Sequence, residues 1–258
     1  MIGKSDMNLQ TYIHSMLITN NDELMVFSYN KQCHKFENGN WQTQNLSQQI
    51  SFGIFISMDD GIYCFDGRDS HFLPNGKNEW QKGPAVPEPG ISYGHGVAIS
   101  PKELILVGGL NPYSQILKFN IESQKWTEFG CLHQERRGHR CFFFNGKIVV
   151  TGGFVRESLK STEIIDVNIL KSTEIIGVYQ IISRTAGDLN TARDSHGMGI
   201  VTINGEAKLI VFGGRSRDGL TDSIEEWDDN SETWKMSSLK LSEPKYDFVY
   251  CQLPSDMV

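Results

Sequence analysis

Along this chain, short apolar runs alternate with polar turn residues at a spacing that suits strands better than helices. Three runs share one ending: Leu104 to Val107 stops at Gly108-Gly109, Ile148 to Thr151 at Gly152-Gly153, and Leu209 to Phe212 at Gly213-Gly214. Fainter copies lie upstream, Ile62 to Phe65 before Asp66-Gly67 and Leu24 to Phe27 before Ser28-Tyr29, where both glycines are replaced. Ahead of each run stands another β-prone run, set off by turn residues such as Asn20-Asn21-Asp22, Asp59-Asp60-Gly61, Pro101-Lys102 and Asn145-Gly146. Asn-Gly between apolar runs signals a hairpin, because both central positions of the favoured turn have positive φ. Behind each run an aromatic precedes a tryptophan: Phe36 and Trp41, Phe72 and Trp80, Phe119 and Trp126, Trp227 and Trp234. In the fourth copy Val167 and Ile176 take those places, within an echo in which Lys160 to Ile165 and Lys171 to Ile176 both read KSTEII. Two similar amphipathic strands facing each other, or slippage during gene replication, account for that echo.

Each unit therefore reads as four strands. His14, His95, His139 and His196 fall at one place in the first strand, and the interval from His95 to His139 fits one four-stranded meander. The units run over residues 11–48, 49–90, 91–134, 135–190 and 191–244 of a single domain, 1–258, with an extra strand over 246–253. A lone four-stranded sheet cannot bury both faces, whereas radial stacking makes each sheet the core of the next. The expected fold is all-β, a propeller of five blades or a six-bladed ring that this sequence leaves incomplete. The glycine pair ends the second strand where the backbone bends and packs closely. The tryptophans fill the wedge between blades, Trp126 among them as a core residue.

The order apolar run, Gly-Gly, aromatic, Trp, then Arg-x-x-His resembles the kelch repeat; Arg136-Arg137-Gly138-His139 and Arg193-Asp194-Ser195-His196 carry the last element. The resemblance spans nearly the whole chain and is strongest in the last three units. It implies that the loop after each glycine pair and the loop carrying the arginine open on one partner-binding rim. Carried over by position, the first set is Asn30, Arg68, Leu110 with Asn111, Phe154 with Arg156, and Arg215 with Arg217. The second is Ser92 with Tyr93, Arg137 and Arg193, the two arginines having inter-blade salt bridges as their competing role.

Charge sharpens that picture. With 24 Lys+Arg against 31 Asp+Glu the chain carries a formal charge of −7, so nothing draws it as a whole to nucleic acid or an anionic membrane. Arginines gathered at one mouth would form a local positive bowl, suited to an acidic segment of another protein through bidentate hydrogen bonds. The resemblance thus implies a non-enzymatic protein-binding module, such as the substrate-recognition part of a cullin-RING ubiquitin ligase. The BTB domain that docks a cullin is not among these 258 residues. An actin-binding, cytoskeletal or trafficking scaffold is the alternative, and a propeller enzyme such as a copper oxidase or sialic-acid enzyme is a further one.

Other chemistry is sparsely signalled. Asp228-Asp229-Asn230-Ser231-Glu232 begins like a calcium loop, yet Thr233 and Leu239 stand where its glycine and bidentate glutamate belong, so it reads as a hairpin tip. No Gly-Lys-Ser/Thr follows the glycine pairs and no serine sits in a G-x-S-x-G elbow. The recurring histidines offer a ring of imidazoles for a metal, but no carboxylate or cysteine accompanies them, and hydrogen bonding within the blade is the expected role. No cofactor is expected. The five cysteines form no C-x-x-C, and neither a secretory start nor an apolar run of roughly 20 residues is found, pointing to the reducing cytoplasm or nucleus.

Overall fold

The computed structural model describes residues 13–18, 23–28, 32–37, 40–45, 53–110, 114–168, 181–203 and 205–247. It is all-β and of the propeller class, with five four-stranded antiparallel blades in the described residues. The first holds β1 (Ile13–Ile18), β2 (Leu24–Ser28), β3 (Gln32–Glu37) and β4 (Asn40–Asn45). The second holds β5 (Ile54–Met58), β6 (Gly61–Asp66), β7 (Asp69–Pro74) and β8 (Gln81–Lys82). The third is β9 (His95–Ser100), β10 (Glu103–Val107), β11 (Gln115–Asn120) and β12 (Lys125–Cys131). The fourth is β13 (Arg140–Phe144), β14 (Lys147–Thr151), β15 (Thr162–Asp166) and β16 (Ser183–Ala186). The fifth begins with β17 (Gly197–Ile203) and β18 (Glu206–Phe212), sends out a small hairpin, β19 (Arg215–Ser216) and β20 (Gly219–Leu220), and closes with β21 (Ser223–Asp228) and β22 (Thr233–Lys240). Two compact units divide them, the first two blades before Tyr93 and the last three from Tyr93 on.

Why these segments stack is plain in the three-blade unit. On β14, Ile148 and Val150 pack toward the third blade with Ile105, Val107 and Ile116, while Val149 points the other way to Met198, Leu209 and Trp234 of the fifth. Both faces are buried, so the strand is a continuous apolar run rather than an alternating one. In the two-blade unit Phe27, Cys33, Ile62, Cys64 and Trp80 form the corresponding core. In three units the aromatic-tryptophan signal is a cross-strand pair, Phe36 opposite Trp41, Phe119 opposite Trp126 and Trp227 opposite Trp234, whereas Phe72 lies opposite Gln81, the residue after Trp80.

The glycine pairs join one blade to the next. Gly109 N donates to Arg136 O at 3.0 Å, Gly153 N to Arg193 O at 2.9 Å and Gly214 N to Lys245 O at 2.7 Å. The approach is too close for a side chain: a Cβ on Gly152, whose φ is +57°, would lie 2.4 Å from Arg193 O. Asn145-Gly146 forms the expected turn, with φ of 48° and 77°.

Several expectations change. His95 does not share the place of His139 and His196. It pairs with Val107, whereas Arg140 pairs with Thr151 and Gly197 with Phe212, so His95 stands one residue further along the strand. Positive φ at Tyr93, Gly138 and Ser195 marks the true equivalence. The two KSTEII copies are not partners, because β15 is flanked by β14 and β16; the second copy lies outside the described residues. Trp126 is only partly buried, unlike Trp234. Of the extra strand over 246–253, Tyr246 and Asp247 are not in strand and the remainder lies outside the described residues.

Candidate partner-binding rim

Arg193 is the clearest correction to the sequence-predicted site. Its guanidinium is fully buried inside the fifth blade and bonds Glu225 at 2.7 Å, Gly213 O at 2.7 Å and Ser223 Oγ at 2.9 Å. The equivalent residue in the fourth blade is Arg136, not Arg137. It is just as buried and reaches Glu163 at 2.6 Å, Gly152 O at 2.8 Å and Ser161 Oγ at 3.0 Å. Each carboxylate in turn accepts the backbone N–H groups ahead of the inner strand, His133 and Gln134 for Glu163, Asn190 and Thr191 for Glu225. These ion pairs lie within a blade rather than between blades. They fix the loop that displays the next residue, Arg137 or Asp194.

Those next residues do form an edge. A chain of backbone hydrogen bonds runs across it: Gly138 N to Tyr93 O at 3.0 Å, Ser195 N to Gly138 O at 2.8 Å, and Asp247 N to Ser195 O at 3.0 Å. Arg137 bridges Phe154, the first residue after its glycine pair, and Asp194 likewise bridges Arg215. The Arg137 guanidinium lies 5.3 Å from the Phe154 ring centroid, and that of Arg215 lies 5.3 Å from Tyr246. Beyond the bridges the chain turns outward twice, through Phe154 and Ser158 in the fourth blade and through β19 and β20 in the fifth. Arg156 and Arg217 stand exposed on those projections, and neither forms an ion pair among the described residues.

The positive bowl is thus partly neutralised. Arg215 meets Asp194 at 3.1 Å, and Asp194 also accepts the hydroxyls of Ser158 and Ser195. In the two-blade unit Arg68 is paired with Glu88 at 2.7 Å, and Ser92 lies half-buried beside Gly67. Tyr93 is exposed at the start of the three-blade edge. Asn30 and Asn111 lie outside the described residues. Selection by charge overlooked Asp194 and Tyr246, although both occupy the register position of Arg137.

The hairpin tip over Asp228 to Glu232 binds the neighbouring blade instead of an ion. Glu232 takes Arg184 at 2.6 Å and Lys147 at 3.0 Å, and Asp229 takes Asn145 at 3.1 Å. These cations, Arg184 foremost, hold the Glu232 carboxyl down to about 2. The inner histidines are His139 and His196, both fully buried, and His95, partly so. Among the described residues no three His, Cys, Asp or Glu side chains are placed to hold a metal ion together. No helix among them is long and apolar enough to cross a membrane.

No protein-family model matches the chain. Among known proteins it is similar to alpha-scruin of Limulus polyphemus, 26% identical over 125 residues. That match covers 47% of this chain and 12% of the relative's length.

Proposed function

We propose that the chain is a non-enzymatic, kelch-type protein-interaction module that takes up an acidic segment of a partner on the loop edge of its three-blade unit. The observation that carries this is the pair of exposed projections bearing Arg156 and Arg217, guanidiniums that meet no carboxylate among the described residues. Beside them the Arg137–Phe154 and Arg215–Tyr246 pairs offer flat aromatic and guanidinium surface of the kind that anchors interfaces. Carboxylates bound there would replace water on Arg156 and Arg217, beside Arg137 and Arg215 that Phe154 and Tyr246 already orient.

The test is affinity capture with the wild-type chain and an Arg156→Glu, Arg217→Glu double variant, read by mass spectrometry. Both side chains are exposed, so the variant keeps its melting temperature while proteins bound through the edge are lost. Undiminished capture by the folded variant removes the edge from consideration.

Two finer readings stand within this proposal. Likeness to alpha-scruin over part of the chain supports the cytoskeletal one, which actin cosedimentation tests directly. The reading as a substrate-recognition part of a ubiquitin ligase rests on the repeat resemblance alone. Free Cys33, Cys64, Cys131 and Cys141 fit a reducing cytoplasmic setting for either.

A further inference from the structure

The sequence carries β15 twice. Residues 159–167 read LKSTEIIDV and residues 170–178 read LKSTEIIGV, alike at eight of nine positions. In the first copy almost every side chain has a task in the fourth blade. Ser161 Oγ accepts from Arg136 at 3.0 Å, and Glu163 binds Arg136 at 2.6 Å while accepting the His133 and Gln134 N–H groups. Thr162 Oγ1 accepts from Trp234 Nε1 at 2.9 Å. Ile164 belongs to the apolar cluster shared with the fifth blade, and Ile165 and Val167 to the one shared with the third. Leu159 joins the blades through its backbone, N to Gly153 O at 2.8 Å and O from Arg193 N at 3.0 Å. All of these residue types recur in order over 170–178, so the second copy carries the full set of groups that β15 needs. The one difference falls at Asp166, whose side chain is exposed.

The connections of the blade accept either copy. In the third and fifth blades four residues separate the last pair of the outer hairpin, Asn120 from Lys125 and Asp228 from Thr233. In the fourth, sixteen residues lie between β15 and β16. Ile165 pairs with Ser183; with Ile176 in its place, Gly177 stands opposite Ile182 and four residues separate them, as in the other two blades. The eleven residues gained pass to the β14–β15 connection at the opposite end of the strand, where Phe154 and Arg156 stand. Loop-closure cost grows slowly with length, so the transfer by itself is nearly neutral. Turn chemistry favours the first copy. Asp166 accepts the Asn168 N–H at 2.8 Å, as Asn120 and Asp228 accept N–H groups in their turns, and Gly177 has no such acceptor. Ile181 would also fall where Gln124 and Glu232 have positive φ, a poor place for a β-branched residue.

We propose that β15 is an exchangeable strand: residues 170–178 can replace 159–167 in the fourth blade, carrying eleven residues from its far end to the partner edge. The first register is the resting one, and the second is a minor packing of the same sequence. In it Ile169 takes the place of Ser158, so Asp194 loses that hydroxyl, and Glu163 and Asp166 leave the blade for the connection that holds Arg156. On the acidic-segment reading above, on which this consequence alone rests, their carboxylates compete with the partner for Arg156 and the exchange closes the edge.

Thermal unfolding and amide hydrogen exchange of the full chain test it without any partner, so the outcome is independent of the acidic-segment reading. Ile164→Lys, Ile165→Lys places charge on both buried faces of the first copy. This variant keeps a cooperative transition at a lowered midpoint, with slow exchange over 170–178 in place of 159–167. Adding Ile175→Lys, Ile176→Lys spoils both copies and abolishes that transition. A two-substitution variant as unfolded as the four-substitution one overturns the exchange, and so does a folded one that keeps its protection over 159–167. A form lacking residues 160–170 joins Leu159 to Lys171, leaves only the second copy and folds cooperatively. If it does not fold, the second copy cannot serve as β15. If it folds where the two-substitution variant does not, the copy fits the blade yet cannot enter it, and the proposal is again wrong.

Discussion

The third and fifth blades build the same junction from opposite chemistry. In the fifth, as in the fourth, the residue that accepts a hydrogen bond from the preceding glycine pair is a buried arginine, and the third strand answers it with glutamate. In the third, Gly67 N donates in the same way to Ile91 O, and the register position of Glu163 and Glu225 holds Leu117. Both members change together. The backbone bond at the blade junction thus survives whether the space beneath it is filled by charge or by hydrocarbon. What the ion pair adds is a carboxylate that accepts the N–H groups of the preceding loop, and hence control over where Arg137 and Asp194 stand.

The sharpest way to break the comparison is to convert the fourth blade to the third blade's solution. Glu163→Leu alone strands the Arg136 charge in the interior and costs about 3–5 kcal/mol. Adding Arg136→Ile removes that charge, and most of the loss is recovered, since apolar replacement of both partners is often close to neutral. Urea denaturation of both variants gives the answer. A double variant as weak as the single would mean that the two solutions are not interchangeable and that the loop N–H groups need the carboxylate.

Tryptophan offers a second contrast between the same blades. Trp234 is buried between the fourth and fifth blades and donates from Nε1 to Thr162 Oγ1 at 2.9 Å, so Trp234→Ala costs about 3 kcal/mol or more through cavity and lost bond. Trp126 packs at a tilt on Phe119, with ring centroids 4.6 Å apart, and is only partly buried. Trp126→Ala should cost about 1–2 kcal/mol. Equal midpoints for the two variants would erase the distinction.

These contrasts also show how far the sequence could be read. Blade rhythm, glycine pairs and the Asn145-Gly146 turn were legible because each depends on neighbours in the chain. Strand register was not, since Tyr93-Gly94-His95 reaches its strand with one residue between Tyr93 and His95 already spent, shifting His95 out of the place of His139. In Arg136-Arg137 two identical side chains stand side by side, and the choice of which turns inward is made by Glu163 and the backbone carbonyls. Arg193 is buried by a carboxylate 32 positions away. Charge counting could not foresee that Asp194 would share the edge with Arg215, because the two meet only once the bridge between their strands forms.

The smallest effect concerns the tips of the outer hairpins. Gln124 in the third blade and Glu232 in the fifth sit at the same place in their turns, both with positive φ, 55° and 51°. Gln124 reaches only Ile121 O, within its own turn, at 2.6 Å, whereas Glu232 draws Arg184 and Lys147 across from the fourth blade. The folded carboxyl is held at about 2, below its ordinary 4.5, so its contribution is fully present above about 4.5 and is lost as the pH falls through about 2. Glu232→Gln gives the fifth blade the third blade's residue. At neutral pH it lowers stability by up to about 1 kcal/mol, the range for partly exposed pairs. The difference between variant and wild type then shrinks as pH is lowered toward about 2, because the wild-type carboxyl becomes neutral as well. Urea midpoints at pH 7 and at acid pH measure it; a gap that stays constant would assign the clamp to Asp229 and Asn145 rather than to Glu232.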